Sequence, residues 1–292
     1  PPQWCGGGTT GFTGVTASST GGGGVTVVAQ ETVGPYETVQ LSSTDPQALA
    51  TWLSGHGYAI PTSIQPLIDS YVSEGFGFLA LRLVPGQGID AMRPVRVTTP
   101  GGAPVLPLRM VAAGTGARVP LALWVLGEGR YEPANFPSSV ILGGDLVWNY
   151  PTASSNYSVV RKARLEQDGA SHWVVDAAEP FAPWSLDSLI DEANFDPEGS
   201  GYADELGQGA VENALADVET LLAGINQRDL WISRISAELS QQALGQDLLL
   251  KASNSQVPVA RSLVVSNFTG QAPTCPPPPS CGDDDGSGGW GA

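Results

Sequence analysis

Asp196, Glu198, Ser200, Tyr202 and Asp204 are the residues of this chain whose types and spacing come nearest to a metal site. Calcium is a hard cation that takes oxygen ligands, and a helix-flanked calcium loop offers them at alternate positions around a glycine at position 6. The segment Asp196-Pro197-Glu198-Gly199-Ser200-Gly201-Tyr202-Ala203-Asp204 places side-chain oxygens at positions 1, 3, 5 and 9, with Gly201 at position 6 and Tyr202 at position 7. It departs from that pattern at Pro197, and again at position 12, where Gly207 stands instead of a bidentate carboxylate and Glu205 would have to substitute from position 10. The same acids belong to a longer run, Asp176 to Glu219, which holds twelve of the 29 Asp and Glu residues and no Lys or Arg. A solvated acidic connector is therefore the competing reading, and calcium is the one cofactor the residue pattern suggests.

Other reactive constellations are poorer. His56 and His172 are the two histidines, far apart, with no His-x-x-x-His or Cys-x-x-Cys spacing to hold zinc. Ser171 beside His172 brings a nucleophile and a base together in sequence, but neighbours on a strand point to opposite faces. No Gly-x-Ser-x-Gly elbow is present to support a hydrolase, so no residue is assigned a catalytic role. Paired Asp/Glu could cleave glycosides, and eight Trp could offer stacking surfaces for sugars, but the separation of two carboxylates is a three-dimensional quantity. Trp52, Trp124, Trp148 and Trp231 lie in apolar runs and are expected in the core. The glycine-rich beginning lacks the Gly-Lys-Ser/Thr ending of a phosphate cradle.

Composition narrows the classes further. Charged residues make up only 14% of the 292, and a net charge of −16 argues against nucleic acid, whose phosphates need clustered Lys and Arg. No run of 18 apolar residues offers a membrane span; the closest, Leu106 to Leu126, is broken by Arg109 and Arg118. The three cysteines, Cys5, Cys275 and Cys281, all lie in low-complexity ends. Cys275 and Cys281, separated by a proline run and Ser280, could close a small disulfide ring, leaving Cys5 without a partner in this chain. Cysteines in Gly/Pro/Ser/Asp tracts suit an oxidising exterior.

The elements that would carry these residues follow from periodicity. Residues 1–24 read as a flexible Gly/Ser/Thr arm, 25–150 as an α+β subdomain, 151–270 as a mixed subdomain with an acidic helical segment over 176–219, and 271–292 as a Pro/Gly/Asp tail. Strands are expected at Val25–Val28 and Thr38–Leu41 around a Gly34-Pro35 turn. A helix follows, capped by Thr44 or Asp45 with Pro46 at its start and Gly55 at its end. A second opens near Thr62-Ser63 with Ile64, Leu67, Ile68, Tyr71 and Val72 on one face. Strands are then expected at Leu79–Leu83, in a hairpin of Arg93–Thr99 and Pro104–Ala112, over Val119–Val125, and at Val159–Leu165 and His172–Asp176. Pro94, Pro104, Pro107 and Pro120 push their strands toward sheet edges. Val211, Leu215, Val218, Leu222 and Ile225 form a helical stripe, and closing strands are expected at Asp229–Ser236, Asp247–Lys251 and Leu263–Ser266. The fold class is α+β: antiparallel sheet with a front helix pair and a helical cluster in the second half.

Several of these segments carry a family likeness over about Val25 to Gly270: Thr26 to Glu37, Ala48 to Leu53, Gly57-Tyr58-Ala59-Ile60-Pro61, Tyr71 to Gly75, Arg93-Pro94 to Leu108-Arg109, Trp124-Val125-Leu126 and Trp231-Ile232-Ser233-Arg234. In order and spacing the chain resembles the bacterial family called domain of unknown function 2330. The resemblance implies an exported bacterial protein and brings no catalytic residue with it. The end, Cys281 to Ala292, resembles the spacer before a removable C-terminal surface-sorting tail, and the chain opens at Pro1. The expectation is a secreted or cell-surface structural or binding module, a fragment processed from a longer precursor, whose partner is its own upstream fragment or a second copy. The alternative is an extracellular carboxylate-dependent hydrolase of glycoside type.

Overall fold

The computed structural model describes residues 24–92, 95, 97, 104–112, 116–186, 188 and 210–274. In chain order the first elements are β1 (Val25–Val33), β2 (Tyr36–Ser43), α1 (Pro46–Gly55), α2 (Gln65–Ser73), β3 (Phe78–Leu83), β4 (Val105–Leu106), α3 (Leu108–Ala112), β5 (Arg118–Glu128), β6 (Tyr131–Pro133) and β7 (Ser138–Val140). They are followed by β8 (Val147–Asn149), β9 (Ser154–Ser155), α4 (Tyr157–Leu165), β10 (Trp173–Pro180), α5 (Ala210–Leu222), β11 (Leu230–Ser240), β12 (Leu248–Ala252) and β13 (Asn267–Thr269). This is the expected α+β class. Two compact units share the chain: one takes the residues up to Arg118 and then Gln241–Leu249, the other Val119–Ser240 and the residues from Leu250 on.

The first unit starts from alternation. β2 turns Val39 and Leu41 to one side, and its antiparallel neighbours β1 and β3 complete a three-stranded sheet. Gly34, at φ 56°, makes the β1–β2 turn. Asp45 caps α1, its Oδ1 accepting from the N–H groups of Gln47 (2.9 Å) and Ala48 (3.3 Å), with Pro46 in the first turn. Leu49 and Leu53 of α1 and Ile68 and Val72 of α2 close over Val39 and Leu41 as one buried cluster. The helix pair is as the periodicity predicts, except that α2 begins at Gln65, beyond Thr62-Ser63. In β3 it is Phe78 and Ala80 that join the core, because they pair with Leu41 and Val39, whereas Leu81 is exposed.

The segment 104–112 corrects the predicted hairpin. Only Val105 and Leu106 are extended, pairing with Leu249 and Leu248 of β12, and the chain then winds into α3. Leu108 is fully buried there, as are Leu244 and Leu248, so burial of one leucine overrides the strand-like alternation. The turn Pro100-Gly101-Gly102 and most of Arg93–Thr99 lie outside the described residues.

The second unit is built on a mixed sheet in the order β5-β11-β10-β7. β10 and β11 are antiparallel, whereas β7 runs parallel to β10. Pro120 lies on β5 at the end of this sheet, as a residue without an N–H donor must. Trp173, Val175 and Ile235 are buried, and Phe136 meets Trp173 edge to face at 6.2 Å. Val174, on the other side, joins Ile141, Leu146 and Leu165. Residues 159–165, expected as a strand, form α4: Tyr157, Val160 and Leu165 recur at helical spacing and pack on that cluster. Val159, whose β-branched side chain suggested a strand, is exposed. The predicted helix near Val211 is found as α5. Residues 263–266 are not a strand; Leu263 and Val265 pack irregularly, and the strand comes later as β13, parallel to β8.

One polar network holds the first unit's separated segments. Arg109 of α3 donates to Asp247 through its backbone N–H (3.1 Å), Nε (3.0 Å) and Nη2 (2.7 Å). It also donates to Glu74 through Nη1 (2.7 Å) and Nη2 (2.6 Å), and to Ser70 Oγ. The Tyr71 hydroxyl donates to Asp247 at 2.6 Å, and the guanidinium lies 4.2 Å from the centre of the Tyr71 ring. Planar, bidentate pairs of this kind are the strong form of the ion pair. The Arg109 hydrogen bonds, followed by that from Ser70, hold the Glu74 carboxyl at about 2, against 4.5 ordinarily. Burial, then the bond to Asp247, pushes the Tyr71 phenol from 10.0 up to about 12. Burial of Asp247 acts the other way, but its bonds from Arg109 and Tyr71 still leave its carboxyl below the ordinary 3.8.

Arg109→Met leaves the Asp247 carboxylate buried with its strongest partner gone, and should lower stability in urea unfolding by about 3 kcal/mol. The pH limits of stability follow from the same shifts. Glu74 has a lowered pKa in the fold, so its contribution is complete above 4.5 and is lost as pH falls toward about 2. Tyr71 has a raised pKa, so its contribution is complete below 10.0 and is lost as pH rises toward about 12. Thermal melts across pH should show both flanks, and Tyr71→Phe should remove the alkaline one.

Candidate functional site

A bulge in the second unit gathers a cluster of charged side chains. Val175 pairs with Ile235 and Ala177 with Arg234, so Asp176 is the extra residue of β10. Its side chain is 6% exposed, with neither oxygen hydrogen-bonded. Two guanidinium nitrogens face it instead, Arg161 Nε at 3.6 Å and Arg234 Nε at 3.9 Å. Arg161, on α4, is held by donation from Nη2 to Ser236 Oγ at 2.7 Å. Arg234 continues outward, its Cζ 5.4 Å from the centre of the Trp124 ring. Trp124 is 56% exposed, which corrects its expected place in the core. The reason is alternation: Val119 is buried and Leu121, Leu123 and Val125 are half-buried, so Pro120, Ala122 and Trp124 are left on the exposed side of β5. Trp52, Trp148 and Trp231 are half-buried, and Trp173 is fully buried. The buried Asp176 carboxylate thus anchors two guanidinium groups, and the outer one, Arg234, lies with the exposed Trp124 ring at the surface, the materials of recognition by stacking.

The sequence-predicted residues are distributed differently. Asp196, Glu198, Ser200, Tyr202 and Asp204 all lie outside the described residues, as do Cys5, Cys275 and Cys281. Among the described residues no group of three or more His, Cys, Asp or Glu is placed to hold a metal, and no helix is long and apolar enough to cross a membrane. His56 stacks on Trp52 at 3.8 Å, its Nδ1 2.7 Å from the Trp52 carbonyl, and so finishes α1. An open depression in the first unit is lined by Gln30, Glu31, Thr32, Glu37 and Arg82, but Glu37 is ion-paired to Arg82. Glu179 likewise pairs with Arg261 at 2.8 Å.

His172 does meet a serine, though not the adjacent one. Ser171 turns its hydroxyl to the Asp168 carbonyl, while the His172 ring lies between Asp168 and Ser139. Asp168 and His172 are four residues apart, a spacing visible in the sequence; Ser139 arrives from β7 with no local signal.

Arg161 and Arg234 should differ when removed. Arg161→Met takes away a hydrogen bond and one of the two cations facing a buried carboxylate, at about 2–3 kcal/mol. Arg234→Ala removes the cation–π contact and the other cation facing Asp176, but that cation stands farther off at 3.9 Å on an exposed side chain and makes no hydrogen bond to the carboxylate, so the cost is about 1–2 kcal/mol. Urea titrations should reproduce that order, and only Arg234→Ala should strip a neighbour directly from Trp124 and change its fluorescence.

No curated protein and no solved structure matches the chain. A family model described as "Uncharacterized protein conserved in bacteria (DUF2330)" matches residues 3–183. With more than half its length so matched, the chain belongs to this bacterial family of unknown function.

Proposed function

We propose that this chain is a secreted or cell-surface module that acts through the surface it presents, with a second copy of itself as its partner. The supporting observation is Trp124, more than half exposed on the terminal strand of the second unit's sheet, beside exposed Pro120 and Ala122 and under Arg234. Trp and Arg are enriched among the residues that dominate protein interfaces, and a terminal strand also offers unpaired backbone groups to another chain. The cysteines in Gly/Pro/Ser/Asp tracts favour an exterior setting. A piece of a longer precursor fits the same reading, its upstream segment then being the competing partner for this surface.

The charge of −16 opposes self-association, so the contact should be weak at low salt and tighten when salt screens the repulsion. Light scattering should give a multiple of the single-chain mass at about 0.5 M salt, where the Debye length is only a few ångströms. Trp124→Ser should return the mass to that of one chain. On intact cells of the source bacterium, a membrane-impermeant amine reagent should label the protein at Lys162, whose side chain is exposed. Protection from that reagent until lysis, or one chain per particle at every salt concentration, would overturn the proposal.

A further inference from the structure

The turn before β10 is held in an unusual backbone. Asp168, Gly169 and Ala170 follow one another with φ of 54°, 70° and 57°. Glycine adopts this left-handed region freely; aspartate does so less readily, and a buried alanine least of all. Such residues persist where their surroundings over-determine them, and they cluster at functional sites. Here Ser171 Oγ donates to the Asp168 carbonyl and Ser240 Oγ to the Gly169 carbonyl, each at 2.8 Å.

The product of this strain is the position of a carboxylate. Asp168 Oδ2 lies 2.9 Å from His172 Nδ1, and His172 Nε2 lies 2.9 Å from Ser139 Oγ. A carboxylate only accepts, so the neutral ring carries its proton on Nδ1 and leaves Nε2 as an acceptor. The Ser139 hydroxyl then donates to Nε2. Serine, imidazole and carboxylate are therefore joined in the order and tautomer that activate a hydroxyl nucleophile. His172 is 7% exposed, so its ring is fixed, whereas Ser139 is half-buried on β7 at the end of the sheet. Asp168 is the open end of this line; the left-handed turn, not burial, keeps it in place.

We infer that Ser139 is a base-activated nucleophile toward acyl groups, with His172 as its base and Asp168 as the positioning carboxylate. Toward an ester, Ser139 Oγ bonds to the carbonyl carbon while its proton passes to His172 Nε2. The bond from that carbon to the alkoxy oxygen breaks, and His172 returns the proton to the departing alcohol. Water then attacks the acyl-serine, again losing a proton to His172, and that proton restores the Ser139 hydroxyl as the carboxylic acid leaves. None of these residues belongs to the Trp124 surface, so the inference stands or falls apart from the proposed association.

The test uses the full chain and phenylmethylsulfonyl fluoride, whose sulfur accepts the serine oxygen as fluoride leaves. One adduct should form and map to Ser139. Ser139→Ala should abolish it, Asp168→Asn and His172→Gln should slow it at least tenfold, and Ser138→Ala should label at the wild-type rate. Each variant is checked by circular dichroism; should His172→Gln fail to fold, Asp168→Asn, altered at a more open side chain, carries the comparison. An unlabelled wild-type chain, an adduct on another residue, or equal rates for wild type and Asp168→Asn would overturn the inference.

Discussion

The contact between Arg109 and Asp247 is the constraint on which the first unit rests. Its residues come from two stretches of chain, and Asp247 belongs to the short returning one. An isolated charge at Asp247, whose side chain is only 9% exposed, would be costly to bury. Here the guanidinium satisfies Asp247 and Glu74 together while its face lies on Tyr71. Shape and charge are therefore met by one side chain, and α2, α3 and the turn before β12 are fixed by the same five nitrogen-bound hydrogens.

Much of this architecture is legible in the sequence where the signal is local. The Asp45-Pro46 start and the Leu49, Leu53, Ile68, Val72 faces give the front helix pair, and the positions of Val39 and Leu41 give the middle strand. What cannot be read depends on distant partners. Val159-Val160 looks extended until Ile141, Leu146 and Val174 supply a surface that only the Tyr157, Val160, Leu165 spacing can cover. Pro104 to Ala112 alternates like a strand, yet Leu108 and Arg109 are claimed by the segment around Asp247.

The candidate sites divide along the same line. Apolarity placed Trp124 inside, but a strand has two sides, and nothing in Val119–Val125 says that the odd positions take the core. Asp168 and His172 are visible as a pair four apart; Ser139 is brought to them by the parallel pairing of β7 with β10, a long-range event with no periodicity of its own. β10 thereby organises the second unit's chemistry: His172 precedes it, its bulge turns Asp176 toward two arginines, and Val174 carries the packing between them.

The return of Gln241–Leu249 to the first unit also bears on how the molecule is made. A ribosome delivers β1 to α3 early, yet the aspartate that neutralises Arg109 emerges only after the whole of Val119–Ser240 has been synthesised. Contacts this far apart in sequence form late and slowly. Until then the nascent segment has only Glu74, Ser70 and Tyr71 to hold the guanidinium, and leucines such as Leu108 still await part of their cover, a condition that favours chaperone capture.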